Sequence, residues 1–163
     1  MFSHLGAVTA YARRRGSRDA EGIASEVMTV AWRRLADVPV DDPRPWLYAT
    51  ARNLVLAEAR RSAPSNAGVR EAERASPAHE LQELDQVVGR ALRSLSRLDQ
   101  EALLLVAWED LTPSQAAAAL GINAAAFRVR LLRARRRLRA ALDNSAAEDR
   151  QPAPLAHLDV EGT

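Results

Sequence analysis

The chain has 163 residues, 47% hydrophobic and 4% aromatic, a length that holds one compact domain or two small ones. Its net charge of +2 conceals a division: residues 1–62 carry +3, 63–94 carry −1, 95–140 carry +4 and 141–163 carry −4. The absence of cysteine excludes a disulfide framework or a thiolate zinc site, and His4, His79 and His157 lie too far apart for helical metal spacing.

Alanine and leucine supply most of the apolar content, β-branched and aromatic residues are few, and an all-α protein is expected. All 23 basic residues are arginine, which suits bidentate recognition but follows more simply from a GC-rich coding bias. HLGAVTAYA near the start is too short to cross a membrane, and its arginines follow it, the reverse of a signal peptide. The chain therefore reads as cytoplasmic, with no membrane segment.

Residues 2–15 read as a short helix ended by Gly16. A longer helix follows, capped by Ser17 or Asp19, with Ala20, Ile23, Ala24, Val27, Ala31 and Leu35 as its apolar stripe. Glu21, Ser25, Thr29 and Trp32 point the other way. An outward tryptophan either lies over a neighbouring helix or meets a partner. ADVPVDDPRP, 36–45, is a loop, and Asp42 before Pro43 starts the next helix, which runs to about Arg61. Leu47, Ala51, Leu54 and Val55 form its core side, with Trp46, Ala49, Asn53 and Arg60 opposite. Residues 63–79 lack periodicity and read as a flexible linker between two small helical domains, 1–62 and 80–142. The second domain opens on Leu81, Leu84, Val87, Val88, Ala91, Leu92 and Leu95. A mostly buried helix is expected at 98–111, and 143–163 reads as a disordered acidic tail.

TPSQAAAALGIN, 112–123, is the most specific local signal. Thr112 is a good N-cap, Pro113 fits the first helical position and Gln115 completes a capping box. Gly121 permits the left-handed turn, and Asn123 caps the next helix. An ordinary αα-hairpin shares parts of this layout. The cap, the glycine and the spacing of Ala117, Leu120, Ile122 and Phe127 together favour a DNA-binding helix-turn-helix. In the next helix Phe127, Leu131, Ala134, Leu138 and Leu142 form a seam. Ala125, Val129, Leu132 and Arg136 point away from it, flanked by Arg128 and Arg133. Ala124, Ala125 and Ala126 allow close approach to a groove. Arg128 can reach guanine and Val129 a thymine methyl. Base reading is expected from Ala125, Arg128, Val129, Leu132 and Arg133, and phosphate contact from Thr112, Arg130, Arg135, Arg136, Arg137 and Arg139.

Taken together, YARRRGSRDAEGIASEVMTVAWRRL, DDPRPWLYATARNLVLAEARR and residues 95–142 resemble bacterial extracytoplasmic-function (ECF) sigma factors. The resemblance implies a first domain that binds the RNA polymerase core and opens the −10 element, and a second that reads the −35 element. It assigns Asp19, Glu21, Ser25, Glu26, Trp32 and Arg33 to polymerase binding, at the β′ clamp helices. It assigns Asp41, Asp42, Arg44, Trp46, Tyr48, Arg52, Asn53, Arg60 and Arg61 to −10 DNA, with loop 36–45 capturing a flipped base. It further implies a linker running near the RNA path, a β-flap contact for the second domain, an anti-sigma partner, and no cofactor, while the first helix is expected to be shorter than the family's. Gly22 and Ser25 depart from the family's usual residues, as do Ala124, Ala125 and Phe127. Two other readings fit parts of the chain: a helix-turn-helix regulator acting without polymerase, and a sigma mimic that binds an anti-sigma factor. No nucleophile–base pair, phosphate loop or paired carboxylates suggest an enzyme.

Overall fold

The structure, a computed structural model, describes residues 4–62 and 86–148. Among these, seven α-helices and one 3-10 turn account for the regular structure. They are α1 (Leu5–Arg14), α2 (Ala20–Arg33), the turn Leu35–Asp37, α3 (Arg44–Ser62), α4 (Gln86–Arg93), α5 (Arg97–Ala107), α6 (Pro113–Leu120) and α7 (Ala124–Glu148).

In the first module α1 packs on both α2 and α3, and α2 packs on α3. Gly16, at φ 78°, makes the expected turn after α1. Asp19 caps α2, its carboxylate accepting from the Gly22 N–H at 2.8 Å. Ala20, Ile23, Ala24, Val27 and Ala31 are buried as the stripe predicts. Leu35 is not: the chain leaves the helix before it, and the 3-10 turn carries its side chain into solvent. α3 begins two residues later than Asp42, whose carboxylate accepts from the Arg44 N–H at 3.3 Å. Its core side is Leu47, Tyr48, Ala51 and Val55, and Leu54 is only partly buried.

In the second module α4, α5 and α6 all pack on α7, and α5 also meets α6. Ser96 caps α5, which ends at Ala107, short of the expected Leu111. The chain then passes through Asp110 at φ 51°, and Leu111 is buried outside the helix. Thr112 and Gln115 form the full capping box, and Gly121 ends α6 in the left-handed conformation at φ 66°. Phe127, Leu131 and Ala134 are buried, and Leu138 packs partly against them. Helix α7 continues six residues beyond Leu142, into the segment expected to be an irregular tail. The linker 63–79, Leu81, Leu84 and residues 149–163 lie outside the described residues.

The modules do not stand apart. α3 packs on α6, and one buried cluster runs from Val8, Tyr11 and Leu47 through Leu105, Ala116 and Phe127.

Candidate nucleic-acid interface

The capping box and the glycine turn set α6 and α7 at a fixed corner, with Ala117 and Phe127 packed inside it. Ile122, expected inside as well, sits at the rim and is partly exposed. Asn123 accepts from the Ala125 N–H at 2.7 Å, capping α7 as its sequence position suggests. With the seam buried, Ala125, Arg128, Val129, Leu132 and Arg133 are all exposed on one side of α7. Arg135, Arg136 and Arg139 are exposed further along the helix. This end of the molecule presents small and apolar side chains close to the helix start, with arginines around and beyond them. Such a surface suits a helix entering a groove by its N-terminal turns and gripping the backbone with the rest.

Two of the expected phosphate ligands are otherwise engaged. Arg130 donates to Asp99 Oδ1 at 3.0 Å, and Arg137 donates to Asp99 Oδ2. Asp99 lies on α5 with its side chain 2% exposed, so the pair neutralises a buried carboxylate and ties α7 to α5. Thr112 is exposed; its hydroxyl oxygen accepts from the Gln115 N–H at 3.3 Å, which leaves the O–H able to donate to a phosphate.

On the first module, Asp19, Glu21, Ser25, Glu26, Trp32 and Arg33 share the exposed side of α2. Trp32 is 74% exposed, so the alternative in which it lies over a neighbouring helix is excluded. Asp19 is already spoken for as the helix cap, and Glu21 pairs with Arg13 at 2.7 Å in solvent. Leu35 and Val40 extend the apolar surface near Trp32 in sequence and are exposed too.

The set assigned to −10 DNA divides in two. Asp41, Asn53, Arg60 and Arg61 are exposed, and Arg44 and Trp46 are half-buried. Tyr48, Arg52 and Asp42 instead face the second module. Tyr48 is only 4% exposed; burial first, then the Glu109 carboxylate, hold its phenol well above the ordinary value. As an exposed DNA contact, Tyr48 is therefore corrected to a core residue. Arg52 donates to both Glu101 oxygens, at 3.2 and 3.1 Å. Asp42 accepts from the Gln115 side-chain amide.

Glu101 is the centre of this contact. It lies on α5, its side chain is 5% exposed, and it accepts from the Tyr11 hydroxyl at 3.2 Å as well as from Arg52. Arg15 Nε is 3.5 Å away, with the Arg15 guanidinium stacked 4.3 Å over the Tyr11 ring. Burial raises the Glu101 carboxyl, but the charges of Arg15 and Arg52 outweigh it and leave the group below its ordinary value. Beside it, Arg14 Nε donates to Glu109 Oε1 at 3.0 Å, and its guanidinium lies 6.0 Å from the Trp108 ring. The sequence reading missed Asp99, Glu101 and Glu109. Their signal was available: carboxylates inside LDQEALLLVAWED, a stretch otherwise largely apolar, demand buried partners.

The fold and these surfaces define a two-module, helix-turn-helix DNA-binding protein. Residues 2–64 match the family Sigma-70 region 2, and residues 85–138 match Sigma-70, region 4. The chain belongs to the sigma-70 family, as an ECF sigma factor, and serves transcription initiation. Among solved structures it is similar to CnrH in complex with the cytosolic domain of CnrY, at 27% identity and TM-score 0.60, covering 87% of this chain and 84% of that one. It shares the fold of the sigma factor RpoE from Bartonella quintana, solved in complex with the anti-sigma factor NepR. There the identity is 22% and the TM-score 0.60, over 87% of this chain and 93% of that one. No curated protein sequence matches. Among the described residues no helix is long and apolar enough to cross a membrane.

Proposed function

We propose that the two modules divide the promoter between them: residues 1–62 bind the polymerase β′ clamp helices and open the −10 element, and residues 80–142 read the −35 element beside the β flap. The exposed face of Ala125, Arg128, Val129, Leu132 and Arg133 carries this reading, because small, apolar and bidentate groups converge there at a helix start. Arg135, Arg136 and Arg139 supply phosphate contacts. Trp32, with Glu26 and Arg33 beside it on exposed α2, is the polymerase-facing anchor. Asn53, Trp46, Arg60 and Arg61 remain the accessible part of the −10 surface. The chain acts in the cytoplasm, supplies address and strand opening rather than catalysis, and is held in check by an anti-sigma factor, the kind of partner with which RpoE of Bartonella quintana was solved.

Promoter selection from a randomised library, with the chain bound to core polymerase, tests the division of labour. Arg128→Ala is expected to relax preference at one −35 base pair, a loss of about 1–3 kcal/mol of discrimination there. Arg136→Ala should weaken all promoters alike and reduce the salt slope by about one unit. Equal losses on every sequence for both variants would remove Arg128 from the reading set.

A further inference from the structure

We infer that residues 149–163 of this chain dock on the outer face of α7 and compete there with −35 DNA. This rests on the −35 assignment proposed above. Leu132, Arg135, Arg136, Arg139, Ala140 and Asp143 line an open groove along the distal half of the helix. Its floor is apolar: Leu132 is 50% exposed, and Ala140 lies open to solvent as well. Ala140 stands about four turns from the start of α7, beyond the N-terminal turns that enter a major groove. DNA therefore accounts for the arginines of this stretch but not for its apolar floor.

Charge and reach name the occupant. Among the described residues no carboxylate pairs with Arg128, Arg133, Arg135, Arg136 or Arg139, whereas Asp99 holds both Arg130 and Arg137. Beyond α7 the sequence reads PLAHLDVEG at 154–162, in which Leu155, Leu158 and Val160 adjoin Asp159 and Glu161. One stretch thus offers apolar groups to the floor of the groove and carboxylates to its arginines. Pro152 and Pro154 disfavour continuing the helix, so the sequence can turn back along it. Leu158 stands ten residues beyond Glu148, roughly 33 Å of extended chain, and Leu132 sixteen before it, roughly 24 Å of helix. The span suffices.

The groove overlaps the proposed −35 contacts: Leu132 on the reading face, and Arg135, Arg136 and Arg139 on phosphates. A docked tail sets carboxylates where phosphates would lie, so tail and duplex exclude each other. Covalent attachment holds the tail at millimolar effective concentration, enough to populate a weak contact in the free chain. Once polymerase brings the −35 duplex beside α7, the duplex is tethered as well and displaces the tail. The tail thereby keeps the free chain off DNA without barring the holoenzyme.

The test uses the full chain with Leu155→Ser and Leu158→Ser, which weaken docking without changing the net charge or any proposed DNA contact. Affinity for the selected −35 duplex should rise about threefold, the gain for a groove occupied in about two thirds of free molecules. Asp159→Asn with Glu161→Gln should give a gain at least as large. The chain has no cysteine, so a nitroxide on Gly162→Cys marks one place. It should broaden the amides of Leu132–Arg139 but not those of α2, and the two serines should abolish that broadening. No broadening on α7 overturns the proposal. So does broadening with no gain in duplex affinity. A gain from the amide pair that the serine pair lacks would be general electrostatics, and overturns it too. Broadening that appears only in a mixture of spin-labelled and isotope-labelled copies would place a second chain's tail in the groove, against the proposal. Arg128→Ala on the serine background separates the two layers. If it leaves sequence preference untouched, the −35 assignment fails whatever the tail does. If it relaxes preference while the serine pair gains nothing, the tail proposal fails alone.

Discussion

Asp99 shows how a single buried carboxylate decides what its neighbours can do. It binds Arg130 and Arg137, so two of the seven arginines on α7 anchor the helix rather than the DNA. Asp99→Asn should release both, steepening the salt dependence of −35 duplex binding by up to about two units. The same substitution should lower thermal stability, because a buried ion pair loses its anion. An unchanged slope, measured by titration between low and moderate salt, would show that neither arginine reaches a phosphate when freed. Nothing in the order of residues on α7 distinguishes Arg130 and Arg137 from Arg133 and Arg136. The difference is made by α5, which a helical wheel of α7 alone does not contain. Tyr48, which the resemblance assigns to −10 DNA, is buried for the same reason: part of the cover on its face of α3 comes from Glu109, a distant part of the chain.

At the scale of elements, local chemistry was read with more success. The capping box at Thr112, the left-handed Gly121, the Asn123 cap and the Phe127–Leu131–Ala134 seam all follow from residues within a few positions of each other. Helix ends followed less well, at Ala107 and Glu148, because no glycine or proline marks them. Gly22 is instructive here. By propensity alone it weakens α2 by about 1 kcal/mol relative to alanine. In the structure an added Cβ would lie 2.0 Å from Asp19 Oδ2, the carboxylate that caps the helix. Gly22→Ala should therefore leave stability within about 1 kcal/mol of wild type, its propensity gain cancelled by the disturbed cap. Asp19→Ala should cost about 1 kcal/mol, and Gly22→Ala should become stabilising by about that amount on the Asp19→Ala background. Additive melting temperatures across this double-mutant cycle would show that the two residues do not compete for space.

For the molecule as a whole, the two modules were legible in the sequence and their mutual contact was not. Pairing across Tyr11–Glu101 spans 90 positions, and no local pattern announces it. The contact also carries a pH dependence. Glu101 is held below its ordinary carboxyl value where the two modules pack together, so its contribution is complete above the unfolded value near 4.5 and is lost as pH falls through the lower folded value. The radius of gyration should thus be constant from pH 7 to about 5 and increase at more acid pH. Expansion on raising the pH from 5 to 7 would carry the wrong sign for this group. The central claim is that polymerase, held by α2, receives from this chain both a −35 address and an opened −10 element. Run-off transcription from the selected promoter, with permanganate footprinting of its −10 thymines, measures this most directly. Wild type should yield transcript and reactive thymines. Trp32→Ala should lose both together with polymerase binding, and Trp46→Ala should keep the bound polymerase but lose the reactive thymines. Stable binding of the wild-type chain to core polymerase, without transcript or melting at any promoter of the library, would contradict the account.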